Sequence, residues 1–373
     1  MTRRRSKGEG TIFQNKQGLW VARITLPDGK RKQKTSKSQG IVRKWLIDRR
    51  KALADGMLVE QDNILFSQFI DRYFNDVAVH TLRPKTLQAY EYLIRKHIKP
   101  EIGYMKLSKL RPDHLQSLYG KKLNEGLSKR TVQFIHAVIN KSLKYALRWN
   151  LIVRNPCDLV DAPRPTKKPP ITLSQKEIEI FLNSLTNHRW YALYYLAIAT
   201  AMRECELLGL KWEDVDLENK TLQVKRQLQY IVGEGLIFTE PKSDSSLRLL
   251  SIPEKAIKVL YMHSEKQQAI KDLAGNRWEE YGLVFTTNIG TPINPRNLLR
   301  HFHSSLADIN LPRMKFHALR HTTPSLLLSK NKHPKLVQML LGHSEIGLTL
   351  NTYSHATPQM QGEIADAIDE ILP

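Results

Sequence analysis

The chain has 373 residues, more than one hydrophobic core ordinarily holds, so two or three domains are expected. Its 41% hydrophobic and 25% charged residues describe a globular protein, and no segment approaches the roughly 18 apolar residues that a membrane helix needs. The formal net charge of +22 argues for a polyanionic partner, nucleic acid before membrane.

The opening MTRRRSKGEG carries positive charge with no apolar run behind it, so it does not read as a secretory leader. Residues 1–57 hold 16 Lys and Arg against 4 Asp and Glu, which is +12 of the total charge in under a sixth of the chain. Within them Trp20, Ala22, Ile24 and Leu26 alternate with Val21, Arg23 and Thr25, the period-2 pattern of a half-buried strand. Pro27-Asp28-Gly29 is a turn, and a second, basic strand runs from Lys30 to Thr35. Ser38 can cap a helix whose apolar stripe is expected at Ile41, Trp45 and Leu46. A small three-stranded sheet backed by a helix, with Arg23, Lys30, Arg31, Lys32 and Lys34 on a basic face, suits a DNA groove.

Residues 64–160 read as a four- to five-helix bundle. Phe66, Phe69, Ile70, Tyr73 and Phe74 form one apolar face, and Leu87, Tyr90, Leu93 and Ile94 form another after a break at 82–86. Pro100 to Met105 reads as a loop, and Arg111-Pro112-Asp113 opens a further helix. Ser128 caps the helix of Val132, Ile135, Val138, Ile139 and Leu143. Lys85, Lys121, Lys122, Lys129, Arg130, Lys141, Lys144 and Arg148 lie off these stripes and give a basic surface. Residues 161–171, DAPRPTKKPPI, form a stiff Pro-rich linker.

Beyond the linker, over 172–373, a mixed but mainly helical domain with a small β-sheet is expected. Ser174 and Glu177 form a capping box, and Tyr191 to Ala201 is a nearly unbroken apolar helix. Leu222 to Tyr230 and Gly235 to Phe238 read as a hairpin, followed by a turn through Lys242 and a strand from Arg248 to Ile252. The remainder, to Ile371, is helical between loops. The fold class is therefore α+β, mainly α.

Taken singly, the polar residues here have ordinary readings. Arg203 stands at a helix start, where the dipole opposes a cation unless an anion also binds there. His317 and His321 share a helix face, but the glutamate of a HExxH zinc motif is missing and Arg320 sits between them, so no metal is expected. Cys157 and Cys205 form no disulfide framework and point to a reducing compartment, so a cytoplasmic location is expected. Cys205 reads as a small apolar residue, and His321 and His355 as structural.

In order along the chain, Arg203 in AMRECELLGLKW, Lys242 in TEPKSDSS, His317 and Arg320 in HALRHT, His343 in LLGHS and Tyr353 in TLNTYSH resemble the motifs of the tyrosine recombinase (phage integrase) family. In detail the chain looks like integrases of temperate phages and conjugative transposons of Gram-positive bacteria. The resemblance implies an arm-type DNA-binding domain over 1–57, a core-type one over 64–160 and a catalytic domain over 172–373. It also implies cleavage of double-stranded DNA through a 3′-phosphotyrosyl link, a tetramer on two paired duplexes, and no metal or ATP cofactor. An excisionase and a host DNA-bending protein are the accessory partners it implies.

In this reading Arg203, Arg320 and His343 hold the phosphate, Tyr353 attacks it, and His317 accepts the phenol proton. Lys242 protonates the leaving 5′-oxygen, with Lys225 as its rival, and Glu206 supports Arg203. The chain departs from its relatives at Ala201, where they often have Gly, at Cys205, and at Pro324, read as lying in a first helical turn. The competing readings are a type IB topoisomerase-like relaxase, a non-catalytic DNA-binding regulator and, lacking an acidic cluster, a metal-dependent nuclease. The segment from Ile364 to Ile371 is apolar at Ile364, Ala367, Ile368 and Ile371 and suits packing on either its own core or a neighbouring subunit.

Overall fold

Alternation over six residues places Ala22 and Ile24 on one side of a strand, and they are buried there against Val42 and Leu46 of a helix. That strand, β2 (Trp20–Thr25), is the middle of an antiparallel sheet in the order β1-β2-β3, with β1 spanning Thr11–Gln14 and β3 spanning Arg31–Ser36. The helix, α1, spans Gln39–Ala54. Its buried stripe differs from the expected one. Ile41 is 54% exposed, and Val42 and Leu46, one turn apart, face the sheet with Trp45 beside them. The computed structural model describes residues 9–26, 29, 31–54, 64–166, 170–241, 247–342 and 347. The chain divides into two units, residues 1–167 and 168–373.

The first unit continues as helices. A helix over 66–81 begins as α2 (Phe66–Tyr73), widens into a π-helical turn at Phe74–Ala78 and ends as α3 (Val79–Thr81). A second over 84–102 repeats the pattern, with α4 (Pro84–Leu93), a π-helical turn at Ile94–Ile98 and α5 (Lys99–Ile102). The expected loop from Pro100 is thus helical as far as Ile102. Pro100 lacks an N–H, and the wider turn lies just ahead of it, where the regular ladder would miss a donor. Then come α6 (Pro112–Asn124) and α7 (Lys129–Arg148), the latter capped by Ser128, whose Oγ accepts from Thr131 N–H at 3.1 Å. Val132, Ile135, Val138, Ile139 and Leu143 are all fully buried.

Lys121 and Lys122 are not free surface charges. Lys122 is buried and held by Glu101 at 2.8 Å and Glu125 at 2.9 Å, and Lys121 pairs with Glu101 at 2.7 Å.

In the second unit α8 (Gln175–Ser184) starts with the expected capping box: Ser174 N–H donates to Glu177 at 2.7 Å, and Glu177 N–H donates back to Ser174 Oγ at 3.3 Å. The apolar α9 (Tyr191–Thr200) runs through the core and stops at Ala201, whose φ of 51° is left-handed. After α10 (Glu204–Leu208) come five strands: β4 (Val215–Asp216), β5 (Thr221–Val224), β6 (Gln227–Ile231), β7 (Gly235–Thr239) and β8 (Arg248–Ser251).

The expected long first arm of the hairpin is two strands. β5 pairs with β4 and β8, whereas β6 and β7 alone form the hairpin. Between them Lys225 and Arg226 turn back onto the buried Asp214, Lys225 at 3.0 Å. Gly209 lets α10 press on β6, since a Cβ there would meet Leu228 N at 3.0 Å. Further helices among the described residues are α11 (Glu254–Ala274), α12 (Pro295–Asp308), α13 (His317–Ser329) and α14 (Pro334–Leu341). Among the described residues no helix is long and apolar enough to cross a membrane.

Candidate active site

Thr200 ends α9 and Glu204 begins α10, so only Ala201, Met202 and Arg203 connect a core helix to the next. Arg203 has extended backbone (φ −72°, ψ 150°), and its own N–H donates to Glu206 Oε2 at 3.0 Å. Its Nη1 reaches Glu206 Oε1 at 2.5 Å, leaving the Arg203 side chain about one-third exposed while Glu206 is buried. The helix-start mismatch noted in the sequence is thereby removed, because Glu204 and Glu206 both fall in the first turn.

Glu206 is held from a second side. Arg248, at the start of β8 and 9% exposed, donates Nη2 to Oε2 at 2.9 Å and Nη1 to Oε1 at 3.3 Å. Burial alone would push the Glu206 carboxyl up. The Arg248 and Arg203 guanidiniums overcome it and hold the carboxyl below its ordinary value. Nearby, burial pushes the Cys205 thiol up to about 11, and its Sγ lies 3.4 Å from Gln227 Oε1, so it is an inert packed thiol.

Arg320 is 3% exposed on the first turn of α13. Its Nη1 donates to the Ala201 carbonyl at 2.6 Å, and its Nη2 donates to the Leu341 carbonyl at the end of α14. One planar fork thus ties the α9–α10 corner to α14. Thr322 fixes α13 from the other side, accepting from Leu173 N–H at 3.1 Å.

His317 opens α13 with an exposed side chain, its ring edge-on to His321 with centroids 4.7 Å apart. Crowding by neighbouring atoms comes first, then His321 and after it the charges of Arg320 and Arg203, and together they lower its pKa to about 4. Solvent on its open side screens part of this, but the imidazole is neutral at pH 7. Burial, and then Arg320, lowers the His321 pKa as well. Pro324 corrects an expectation. It lies buried in the eighth position of α13 rather than in a first turn, so the Arg320 carbonyl loses its regular donor. Ser325 Oγ donates to the His321 carbonyl at 3.0 Å one residue further on.

Arg203, Glu206, His317 and Arg320 therefore converge, with all of the other three acting electrostatically on the His317 ring. The residues Lys242, His343 and Tyr353 lie outside the described residues, as do Lys30, His355 and the segment from Ile364 to Ile371.

The sequence profile of the phage integrase family matches residues 172–360, and that of the phage integrase N-terminal SAM-like domain matches residues 65–123. A curated relative, a XerC-like tyrosine recombinase of Caldanaerobacter subterraneus, is 31% identical over 86% of this chain and 86% of its own length. The chain belongs to the phage integrase family. It is a tyrosine-type site-specific recombinase. The ICEBs1 integrase of Bacillus subtilis is 25% identical over 83% of this chain and 84% of its own length. Among solved structures, the integrase of transposon Tn1549, in complex with transposon right-end DNA, shares the fold with a TM-score of 0.72. It is 22% identical and is matched over 82% of this chain and 99% of its own. A λ integrase tetramer bound to a Holliday junction has a TM-score of 0.57 at 17% identity, over 90% of this chain and 95% of its own.

The other basic residues are distributed less simply than expected. In the sheet, Arg23 pairs with Gln33 across the strands and stacks over Phe13, and Arg31 pairs with Thr25, so both arginines lie on the face away from α1. Lys32 and Lys34 are in register with Ile24 and Ala22 and belong to the opposite side. The single basic face is therefore split by strand parity. Lys85 and Lys129 are exposed in the first turns of α4 and α7. Arg130 and Lys141 line a cleft of about 850 Å³ between α7 and residues 160–164, together with Gln133, His136, Asn140, Lys144 and Arg164. Arg248 was missed as a site residue. Its only sequence signal is an arginine opening a strand that continues with Leu249 and Leu250.

Proposed function

We propose that this recombinase integrates and excises a mobile genetic element by transesterification at a DNA phosphate held between Arg203 and Arg320. The observation that carries the proposal is the pair of clamps on one three-residue corner. Glu206 fixes Arg203 from below, and Arg320 grips the Ala201 carbonyl, two residues before Arg203. Guanidiniums held in place offer charge where the transition state builds it, at the non-bridging oxygens, with no reorganisation during the step.

In the reaction, Tyr353 Oη attacks phosphorus and forms a 3′-phosphotyrosyl bond as the bond to the 5′-oxygen breaks. His317, neutral at pH 7, accepts the phenol proton. Lys242 supplies a proton to the leaving oxygen, and His343 adds a donor to the phosphate. A 5′-hydroxyl from the partner duplex then attacks the phosphotyrosyl link and frees Tyr353. The bond energy stays in the covalent link, so the step needs no ATP. Lys225, held by the buried Asp214, is the weaker candidate for the acid.

In this reading residues 1–57 grip distant arm sites and 64–160 the core site. Four subunits act on two duplexes, and an excisionase and a host DNA-bending protein set the direction.

The test is covalent trapping. The protein is incubated with EDTA and without ATP on a nicked suicide duplex carrying the joined ends of its element, then run on a denaturing gel. A DNA-linked band that disappears in Tyr353→Phe is the expected result. Binding without any adduct on a cognate duplex would overturn the assignment of the nucleophile and of the site with it.

A further inference from the structure

We infer that Arg248 is a positioning residue for strand cleavage, clamping the Glu206–Arg203 pair and the carboxyl end of α14 with one guanidinium. The inference rests on the reading above that Arg203 contacts the scissile phosphate. Among the described residues the bonds of Arg248 run to Glu206 and the Leu340 carbonyl, so its effect on the phosphate passes through Arg203.

A buried arginine is costly unless its charge and its donors are met. Among the described residues Arg248 meets them in two places. Nη1 and Nη2 take the two oxygens of Glu206, at 3.3 and 2.9 Å, and Nε donates to the Leu340 carbonyl at 3.2 Å. Glu206 already has a cation in Arg203 at 2.5 Å, so simple charge balance does not call for a second. What the second one adds is orientation. Each carboxylate oxygen now receives one bond from Arg203 and one from Arg248, which fixes the carboxylate plane about a torsion that is otherwise broad. The partly exposed Arg203 side chain inherits that fixed plane.

The other end of the clamp is just as specific. The last carbonyls of a helix have no partners within it. At α14 the Leu340 carbonyl goes to Arg248 and the Leu341 carbonyl to Arg320, and Gly342 closes the helix in the left-handed region at φ 62°. His343 is the next residue in the chain. One arginine thus links the element that carries Arg203 to the helix end that leads into His343.

Among the described residues the groups facing Glu206 are Arg203 just ahead of α10, Cys205 on α10, Arg248 from β8 and His317 from α13. Of the two cations holding Glu206 ionised, Arg248 is the stronger influence. Removing it raises the Glu206 pKa, and a protonated Glu206 gives up half of its grip on Arg203.

The experiment uses the full chain in single-turnover cleavage of the suicide duplex across a pH series, with gel-shift binding and thermal melts as controls. Arg248→Met is expected to slow cleavage on the order of 10²-fold, the scale of a small misplacement of reacting groups, without weakening DNA binding. Its rate is also expected to fall towards acid pH where wild type stays level. Arg248→Lys keeps a charge beside Glu206, so it should remove the acid fall and recover only part of the rate. A folded Arg248→Met that cleaves at the wild-type rate, or is slowed equally at every pH, would overturn the inference. Should Arg248→Met fail to fold, Arg248→Lys carries the test, and wild-type cleavage by it is the overturning result. Arg203→Lys separates the two levels. Its cleaving at the wild-type rate would overturn the phosphate reading itself, whereas a slow Arg203→Lys beside an unimpaired Arg248→Met removes only this inference.

Discussion

Glu206→Gln changes one oxygen to an amide and almost nothing in volume, so its effect can be worked from four contacts. Oε1 accepts from Arg203 Nη1 and Arg248 Nη1, and Oε2 accepts from Arg203 N–H and Arg248 Nη2. Whichever way the new amide turns, its NH₂ faces two donors, and Arg248, with 7% of its side chain exposed, becomes a buried cation without a carboxylate. Removing one partner of a buried ion pair costs about 3–5 kcal/mol. For a unit of 150–250 residues, each kcal/mol moves Tm by about 2–4 °C, so the variant should melt roughly 6–20 °C below wild type.

Adding Arg248→Met should restore several degrees of this loss, since it replaces a stranded charge with an apolar side chain. The difference between wild type and Glu206→Gln must also depend on pH. Because the folded pKa of Glu206 lies below its ordinary value, its contribution is complete above the unfolded pKa and is lost as pH falls through the folded one. The gap in Tm should therefore be full at pH 7 and narrow below about pH 4.5. Circular dichroism melts of both proteins across that range are the assay. A shift under about 2 °C at pH 7, or a gap that widens in acid, would refute the reasoning.

Arg320→Lys should cost stability and chemistry together. One amine cannot serve both the Ala201 and Leu341 carbonyls, so a buried acceptor is stranded at about 1–3 kcal/mol, and trapping should slow by on the order of 10²-fold or more. Ala201→Gly should be nearly neutral in melts. Relief of the left-handed backbone, about 1–2 kcal/mol, is offset by glycine's extra chain entropy of roughly 0.5–1 kcal/mol and about 0.8 kcal/mol for the buried methyl beside Val337 and Leu341. Ala201→Val at the same φ should instead lower Tm clearly, since a β-branched side chain fits that region worst. The His317 imidazole should titrate near 4 in an NMR pH series, so a signal that titrates at its ordinary value would remove the neutral acceptor from the mechanism.

How much of this was legible in the sequence divides along one physical line. Short-range periodicity carried the elements. The alternation at Trp20–Thr25 is β2, the stripe from Val132 to Leu143 is the buried face of α7, and Ser174 with Glu177 forms the cap of α8. The errors came where two registers compete over a few residues. Ile41 and Val42 both fit a helical stripe, and only the sheet above them decides that Val42 turns inward. Val224 and Gln227 read as one strand until Lys225 and Arg226 are seen to be drawn off to Asp214, a partner well back along the chain and outside the hairpin. The split of the basic face has the same origin, for a one-residue step in β3 moves a lysine from one side of the sheet to the other.

The candidate site divides differently. Arg203, Glu206, His317 and Arg320 were picked out through the resemblance of their flanking motifs to a known family, but what brings them together is not local. Arg320 reaches a carbonyl 119 residues away and Arg248 a carboxylate 42 away. Neither partnership has any spacing rule by which a sequence could announce it. Arg248 shows the consequence most sharply. In the sequence it is one more cation in a chain of 58, and only burial singles it out. A net charge of +22 can be met by solvent almost everywhere, but at a position 9% exposed it has to be answered by named groups. The groups that answer it, Glu206 and the end of α14, are those on which the placement of Arg203 depends. Where charge is plentiful, the cations that matter are the ones the fold has taken out of water.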